Sequence, residues 1–132
     1  MKKLVKVVGA VIENDNNEIL CALRSPEMSL PSMWEFPGGK VEPNEELAVA
    51  IVREIKEELQ CDIECIGVFN NNTHEYENFI INLITMECKI VSGIPIASEH
   101  AKLLWLRREC LESLVWAPAD ISTVTQLLKE KV

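Results

Sequence analysis

Two segments with the pattern of β-strands, separated by a polar turn, begin the chain. Residues 4–13 are rich in valine, and residues 19–24 follow the polar run 14–17. Short apolar runs bounded by turn residues are typical of paired strands, so this pattern predicts a hairpin. Residues 25–33 contain two prolines and mixed polarity, which predicts a loop, and residues 34–36 form a short extended piece.

Apolar residues then recur with the period of an α-helix. The stripe comprises Leu47, Ala48, Ile51, Val52, Ile55 and Leu59. Residues three or four apart lie on the same face of a helix, so this spacing predicts an amphipathic helix that packs against the strands. Asn44 precedes the stripe and is a suitable N-cap. Glu45 and Glu46 then lie in the first turn, where the helix dipole favours negative charge.

The second half of the chain alternates strands and a helix in the same way. We expect strands over residues 62–70 and 79–90, joined by a polar connection over residues 71–78. A short apolar strand follows over residues 101–106. A helical pattern returns near the C-terminus at Ile121, Val124, Leu127 and Leu128.

The fold class follows from this order of elements. Asp120 or Ser122 is available as the N-cap of the C-terminal helix. The chain has 132 residues, without internal repeats or linkers. Strands packed between helices in a chain of this length predict a single domain, spanning 1–132, of the α/β or α+β class.

The composition is that of a globular protein with an acidic surface. Apolar residues make up 48% of the chain, and the formal net charge is −8. Duplex nucleic acid and anionic membranes require a basic footprint, so the charge argues against both as partners. The longest apolar runs are far too short for a membrane span, and Lys6 interrupts the stretch that resembles a signal peptide.

The five cysteines are odd in number and scattered along the chain, at Cys21, Cys61, Cys65, Cys88 and Cys110. No C-x-x-C pair is present, which argues against a zinc site. We therefore expect free thiols in a reducing cytoplasm.

Three carboxylates stand at spacings of three and four residues on the predicted first helix. Glu54, Glu57 and Glu58 therefore point to one side of it. Like charges crowded in this way are costly unless a cation lies among them. Hard oxygen ligands suit Mg²⁺ or Mn²⁺, which commonly also bind substrate phosphates. An ordinary solvated helix face is the alternative, and E-x-x-E-E alone would favour it.

The residues around these carboxylates resemble the signature of the Nudix hydrolases, G-x5-E-x7-R-E-U-x-E-E-x-G-U, in which U is a bulky aliphatic residue. The matching positions are Gly39, Glu45, Arg53, Glu54, Ile55, Glu57 and Glu58. Two positions depart from the signature, because Gln60 replaces its glycine and Cys61 replaces a bulky aliphatic residue. The glycine of the family is suited to the left-handed conformation that ends a helix, so we expect an altered helix end here.

The flanking sequence resembles the MutT branch of this family. Residues 34–40, W-E-F-P-G-G-K, are similar to the segment that precedes the signature in that branch. Residues 117–120, A-P-A-D, resemble the segment that contacts the nucleobase. The resemblance implies a mixed β-sheet sandwiched between helices, and Mg²⁺-dependent hydrolysis of nucleoside triphosphates to the monophosphate and pyrophosphate, which cleans the nucleotide pool. The sequence leaves both a monomer and a homodimer open.

The same resemblance implies roles at the metal site. Glu57 and Glu58 would hold the divalent cation, and Glu54 would bind it or take a proton from the attacking water. Arg53 would orient the glutamates through its rigid fork of donors. The carbonyl of Gly39 is a further candidate ligand.

Two neighbouring residues before the predicted strand 101–106 differ in their expected roles. In MutT-like proteins, a glutamate in the place of Glu99 supplies a further metal ligand or the general base. A loop carboxylate without such a role is the alternative. We expect His100 to be a solvent-facing neighbour.

Five residues are candidates for contacts with the substrate, namely Arg24, Lys40, Phe36, Phe79 and Asp120. Arg24 suits a phosphate clamp because its guanidinium is a planar fork of donors, although a surface strand end is equally compatible with it. Lys40 follows Gly38 and Gly39, beside the expected metal site, and is a second candidate for a phosphate contact. The two phenylalanines offer a ring to the base or belong to the core.

Asp120 carries the most information about the base. An ionised aspartate only accepts hydrogen bonds, which suits the amino group N4 of cytosine and the branch that hydrolyses CTP and modified cytidine triphosphates. A protonated Asp120 donates, which suits an oxidised purine and 8-oxo-dGTP diphosphatase activity. A rival of another class is a Nudix-fold module that binds a nucleotide without cleaving it. Such a module would be expected to lose motif carboxylates, and none is missing here.

Overall fold

The computed structural model describes residues 1–130, which contain seven strands and two α-helices. The elements are β1 (Lys3–Ile12), β2 (Glu18–Leu23), β3 (Trp34–Glu35), β4 (Gly38–Lys40), α1 (Leu47–Leu59), β5 (Asp62–Glu75), β6 (Phe79–Ser92), β7 (Lys102–Arg107) and α2 (Ile121–Lys129). Two 3₁₀ helices span Arg108–Ser113 and Pro118–Asp120. The last two residues of the predicted domain, 131 and 132, lie outside the described residues. Within residues 1–130, no helix combines the length and apolarity that a membrane crossing requires.

The strands form two sheets. The larger sheet has the order β4-β1-β6-β5 and is mixed, because β1 runs parallel to β6 whereas its other pairs are antiparallel. The smaller sheet has the order β3-β2-β7 and is antiparallel. The predicted class of mixed α and β structure is therefore confirmed, with a second sheet beside the expected mixed one.

The alternation of side chains along β1 divides the core into two clusters. Val8 and Ile12 pack on one face of the large sheet with Ile51 of helix α1. Val11 points to the other face and packs in a separate cluster with Val124 of helix α2. Because helices cover both faces of this sheet, the second half of β1 is apolar at every position instead of alternating with polar residues. Packing on both faces fixes the position of β1, which pairs with Gly38 and Gly39 of β4.

The two ends of α1 differ from those predicted. Asn44 is not the N-cap, because it lies in a turn with a φ of 64° and Glu46 takes the cap position without a side-chain hydrogen bond. Asparagine tolerates this left-handed conformation better than most residues. At the other end, Gln60 adopts the left-handed conformation with φ 58° and ψ 34°, and its N–H donates to the carbonyl of Lys56. The expected change in the helix end is therefore wrong, since glutamine takes the glycine conformation at a cost of about 1 kcal/mol.

The connection predicted over residues 71–78 is mostly strand. Strand β5 continues to Glu75 and pairs with β6 along this whole stretch, so only residues 76–78 connect the two strands. The exposed side chains of Asn71, Thr73 and Glu75 alternate with more buried ones. Polar residues on the solvent-facing side of an edge strand therefore gave the segment the composition of a loop.

Candidate active site

Arg53 of helix α1 joins three carboxylates and a backbone carbonyl. Its Nε and Nη2 atoms donate to Glu45 at 2.7 and 2.8 Å, and its Nη1 atom donates to Glu54 at 3.0 Å and to Glu57 at 2.7 Å. Nη2 also donates to the carbonyl of Lys40 at 3.1 Å. The hydrogen bonds from Arg53 are the main reason that the pKa of Glu45 falls to about 2. They bind the segment before α1 to the glutamates of the helix.

Glu54 lies directly against strand β4. A Cβ atom at Gly39 would overlap the Glu54 carboxylate, so the absence of a side chain there leaves room for that group. Burial raises the pKa of Glu54, and the hydrogen bond from Arg53 opposes this rise. The Glu54 carboxylate and the backbone of β4 thus lie next to one another.

Glu58 is surrounded by groups that oppose its ionisation. Burial is the main reason that its pKa rises to about 8, and the negative charges of Glu54, Glu35 and Glu99 contribute to this rise. The N–H of Gly38 donates to its Oε1 atom at 3.3 Å and acts in the opposite direction. Four carboxyl groups from three different parts of the chain therefore lie within electrostatic reach of each other.

The chemistry of this donor set fits a divalent cation. Within residues 1–130, no three His, Cys, Asp or Glu side chains already converge closely enough to hold a metal ion. Mg²⁺ usually keeps several waters and takes only one or two carboxylates, so it does not require a complete cage. Carboxyls that raise each other's pKa ionise readily once a cation lies among them. Glu54, Glu58 and the backbone of Gly39 are the groups best placed to hold it.

The other two predicted metal-site residues lie further out. Glu57 accepts its hydrogen bond from Arg53 with a side chain that is 57% exposed. Glu99 is exposed in the loop before β7, close enough to raise the pKa of Glu58. The hydroxyl of Ser98 donates to the carbonyl of Glu58 at 2.5 Å and anchors this loop on α1.

A pocket of about 500 Å³ extends from Glu58 to Asp120. Its lining includes Arg24, Glu35, Phe36, Gly39, Lys40, Tyr76 and Phe79. All five predicted substrate contacts therefore lie around one pocket, together with predicted metal-site residues. A larger cleft of about 640 Å³ is lined by Glu13, Arg108, Glu130 and their neighbours, and none of the predicted site residues is among its lining within residues 1–130. Volume alone does not identify the site.

Arg24, Glu35 and His100 form a chain of hydrogen bonds beside the pocket. Arg24 Nη1 donates to Glu35 Oε1 at 2.6 Å, and His100 Nε2 lies 2.7 Å from Glu35 Oε2. Arg24 Nε also donates to the carbonyl of Ser29 at 2.6 Å, which ties down the loop after β2. The His100 side chain is 0% exposed, so the expectation of a solvent-facing residue is wrong. Glu35 was not predicted as a site residue, because only the pairing of β2 with β3 brings it to Arg24.

Asp120 lies at the far end of the pocket and occupies the N-cap position of helix α2, but its side chain does not cap the helix. Its Oδ1 atom accepts the N–H of Phe36 at 3.0 Å, and it makes no side-chain cap bond. The pKa of Asp120 rises to about 8, mainly because the carboxyl is buried, and the charge of Glu35 contributes to this rise while the Phe36 hydrogen bond opposes it. At neutral pH the carboxyl is therefore mainly protonated, in contrast to the ionised acceptor that the sequence suggested.

The predicted aromatic contacts occupy two different environments. Phe36 is 3% exposed and stacks on Trp116 with ring centroids 4.8 Å apart, so its ring belongs mainly to the core. Phe79 lies at the pocket and stacks on Tyr76 at 5.2 Å. The Tyr76 hydroxyl accepts the N–H of Ala119 at 3.0 Å, next to Asp120. The sequence missed Tyr76 because its segment has the composition of a loop.

Comparison with known sequences identifies what this chain is similar to. The family model described as NUDIX domain matches residues 3–125. A CTP pyrophosphohydrolase of Escherichia coli K12 is 37% identical over 119 residues, which are 90% of this chain and 87% of that protein. An 8-oxo-dGTP diphosphatase of the same strain is 31% identical over 127 residues, covering 96% of this chain and 98% of that protein.

Solved structures share the fold over nearly the whole chain. The solution structure of the E. coli ORF135 protein has a TM-score of 0.85 and 34% identity, and the match covers 97% of this chain and 91% of that one. A MutT protein of the Nudix hydrolase family from methicillin-resistant Staphylococcus aureus 252, solved by NMR, is 47% identical with a TM-score of 0.80. That match covers 99% of this chain and 100% of that one.

Proposed function

This chain belongs to the Nudix hydrolase family, and from that premise we propose that it is a Mg²⁺-dependent nucleoside triphosphate pyrophosphohydrolase that prefers CTP or modified cytidine triphosphates. The observation that carries the proposal is that Glu58 and Asp120 line the same pocket of about 500 Å³. One end of this pocket is rich in carboxyl groups, as a metal-bound polyphosphate requires. The other end holds a buried carboxyl that suits the polar edge of a base.

Two basic residues are available to bind the phosphates. Lys40 is the last residue of β4 and lines the pocket with an exposed side chain. Arg24 uses three of its five N–H donors within the protein, for Glu35 and for the carbonyl and hydroxyl of Ser29. Its remaining donors suit a phosphate oxygen, and its existing bonds fix the guanidinium in advance.

Hydrolysis requires that water attack a phosphorus of the polyphosphate and that pyrophosphate leave. Mg²⁺, when bound, neutralises phosphate oxygens and lowers the pKa of the water that it binds. Glu54 is suited to accept the proton of the attacking water, because burial raises its pKa and the 3.0 Å bond from Arg53 fixes its position. Glu99 is the alternative proton acceptor, on the exposed loop near Glu58.

The protonation of Asp120 changes how it would recognise cytosine. One oxygen accepts the N–H of Phe36, and the neutral carboxyl keeps an O–H donor as well as acceptor capacity. Cytosine presents a donor at N4 beside an acceptor at N3, which matches this pair. The 37% identity to a CTP pyrophosphohydrolase supports the same assignment.

Hydrolysis of 8-oxo-dGTP is a second candidate activity, and the neutral state of Asp120 favours it. Oxidation gives guanine an N–H at N7 beside the O6 acceptor, so the base then offers one donor and one acceptor. Unmodified guanine offers two acceptors at this edge and matches a neutral carboxyl less well. Either activity would serve to clean the nucleotide pool of the cytoplasm.

Pyrophosphate release from a nucleotide panel tests the proposal. The panel contains CTP, dCTP, 5-methyl-dCTP, 8-oxo-dGTP, dGTP, UTP and ADP-ribose, each with Mg²⁺, and kcat/KM is compared. We expect the highest values for the cytidine nucleotides and at least a ~100-fold loss in the Glu58→Gln variant. A preference for 8-oxo-dGTP over dGTP would support the proposed reaction but would show that the preferred base is 8-oxoguanine and not cytosine. Tight nucleotide binding without turnover would instead support the non-catalytic module.

A further inference from the structure

Cys65 and Cys88 are direct partners across two antiparallel strands. The register of β5 and β6 places the Cα atom of Cys65 opposite that of Cys88. Directly opposed residues in such a pair have Cα atoms about 4.5–5.5 Å apart, which lies inside the range of about 4.4–6.8 Å found across disulfides. Their side chains also lie on the same face of the sheet. The backbone geometry that a disulfide requires is therefore already present.

The two thiols also interact, and the other three cysteines do not share this arrangement. Burial raises the pKa of the Cys88 thiol, and the charge of the adjacent Cys65 raises it further. Cys88 is 2% exposed and Cys65 is half-buried against the same cluster beneath α1. Among the described strand pairs, Cys21, Cys61 and Cys110 are not opposite another cysteine. All five thiols are free in the structure.

We propose that Cys65 and Cys88 are a site of reversible oxidation by low-molecular-weight disulfides, which convert the pair to a cross-strand disulfide. Cys65 reacts first, since it is the more exposed of the two residues. Its thiolate attacks one sulfur of the small disulfide and forms a mixed disulfide, and one small thiolate leaves. The Cys88 sulfur, after losing its proton, attacks the Cys65 sulfur, and the second small thiolate leaves. The two protein thiols are oxidised, and the small disulfide is reduced to two thiols that take up the two protons.

The local backbone can accommodate this bond. The register of β5 and β6 shifts between Cys65 and Gly67, so Ile66 is an extra residue on the edge strand. Such a bulge lets an edge strand bend without breaking the pairs on either side. The new bond would close a loop of about two dozen residues, which restricts the unfolded chain.

The expected effect of oxidation is on stability and not on the reaction. Neither cysteine lines the pocket between Glu58 and Asp120. The disulfide should raise the melting temperature by roughly 5–10 °C, and dithiothreitol should reverse the increase. The disulfide depends only on the strand register and the burial of the two cysteines, so it does not depend on the proposed substrate.

Equilibration with glutathione buffers tests the site. A chain that carries Cys110→Ser, which removes the exposed thiol, is incubated in its folded state at a series of ratios of reduced to oxidised glutathione. Free thiols are then alkylated, and the digest is analysed by mass spectrometry without reduction. We expect a peptide that links Cys65 to Cys88, together with the higher melting temperature. The Cys88→Ala variant should instead accumulate glutathione on Cys65, because the second thiol is missing.

Two results would overturn the proposal. In the first, Cys65 and Cys88 of the Cys110→Ser chain both remain available for alkylation in the most oxidising buffer, and the Cys88→Ala variant also takes up no glutathione at Cys65. The other is a linkage that forms only after the chain has been unfolded in denaturant, since the folded register would then not be what brings the sulfurs together. The Cys65→Ser variant serves as the matched control, because it should give neither the linked peptide nor the change in melting temperature.

Discussion

His100 Nε2 lies 2.7 Å from Glu35 Oε2, and this contact fixes the tautomer of the histidine. The Nδ1 atom of His100 is buried and has no partner among the described residues. A buried N–H without an acceptor is costly and rarer than an unpaired acceptor, so the proton belongs on Nε2. His100 therefore donates to Glu35, whose other oxygen accepts from Arg24 at 2.6 Å. The buried ring thus positions a guanidinium that lines the pocket.

Replacing His100 should weaken substrate binding more than turnover. His100→Leu removes the donor and leaves a Glu35 oxygen unpaired, at a cost of about 1.5–3 kcal/mol, so Arg24 loses its fixed position. We expect KM to rise about tenfold or more while kcat changes by about twofold or less. His100→Gln keeps an N–H donor and should retain most of the affinity. Steady-state kinetics of the two variants on the preferred nucleotide measure this. Equal effects of both variants on kcat, with unchanged KM, would mean that the ring only fills space.

Replacing Glu58 should change activity and stability in opposite directions. The pKa of Glu58 rises from its ordinary value of 4.5 to about 8 in the folded protein. Its ionisation therefore destabilises the metal-free fold progressively as pH rises from about 4.5 to about 8. Glu58→Gln does not titrate, so its free energy of unfolding should exceed that of the unaltered chain by an amount that grows over this range. Denaturant unfolding at pH 5 and pH 8.5 in EDTA measures the difference.

The matched control for this prediction is Glu57→Gln. Glu57 has an exposed side chain and pairs with Arg53 on the helix surface. Exposed pairs of this kind contribute about 0–1 kcal/mol, so we expect no gain in stability from its loss. If both variants were stabilised equally at high pH, the general acidity of the chain would be the cause, and not the crowding around Glu58.

The ion pair of Glu45 with Arg53 should protect the fold against acid. The hydrogen bonds from Arg53 lower the pKa of Glu45 from 4.5 to about 2. A carboxyl with a depressed pKa contributes stability above its ordinary pKa, and the contribution is lost as pH falls from about 4.5 towards 2. Glu45→Gln should therefore unfold at a higher pH than the unaltered chain, and the two stabilities should converge near pH 2. Circular dichroism across an acid titration measures the unfolding of both chains. Glu42→Gln should show little change, because the Glu42 side chain is 61% exposed and its carboxylate lies 3.6 Å from Arg53.

The titration of Asp120 should appear in the pH dependence of base recognition. Burial raises its pKa to about 8, so the carboxyl loses its O–H donor as pH rises through that value. If the neutral form binds the base, kcat/KM for the preferred nucleotide falls above about pH 8. Asp120→Asn keeps a donor and an acceptor without titrating, so its profile should stay level there. An activity of the unaltered chain that rises through pH 8 would mean that the ionised carboxylate reads the base, as the sequence first suggested.

The part of the site that could be predicted from the sequence is the part made by one short segment. Arg53, Glu54, Glu57 and Glu58 lie within two turns of one helix, so their relative positions follow from its period. The apolar stripe of the same helix predicts which face packs on the sheet. That prediction holds for Ile51, whose side chain is buried, but is wrong for Ala48, which is exposed. The period of one helix therefore predicts how the glutamates at the metal end of the pocket are arranged.

The remainder of the site depends on contacts between distant segments. His100 and Glu35 are 65 residues apart in the chain, and only the pairing of strands brings them together. The protonation of Asp120 depends on burial, which composition and spacing do not specify. Tyr76 lies after a strand whose solvent-facing side has the composition of a loop. In each case tertiary packing decided the role of a residue whose local sequence indicated something else.

The end of helix α1 offers a direct test of how packing overrides local preference. Gln60 has a φ of 58° and an exposed side chain, at a position where a Cβ atom disfavours the left-handed conformation by about 1–2 kcal/mol. Gln60→Gly should raise the free energy of unfolding by about 0.5–1 kcal/mol, because part of the gain is offset by the greater freedom of glycine in the unfolded chain. Gln60→Ala keeps the Cβ atom and should give no such gain, and both variants should retain full activity. Denaturant unfolding of the three chains measures the difference. A less stable glycine variant would mean that contacts of the Gln60 side chain, and not backbone conformation, stabilise this helix end.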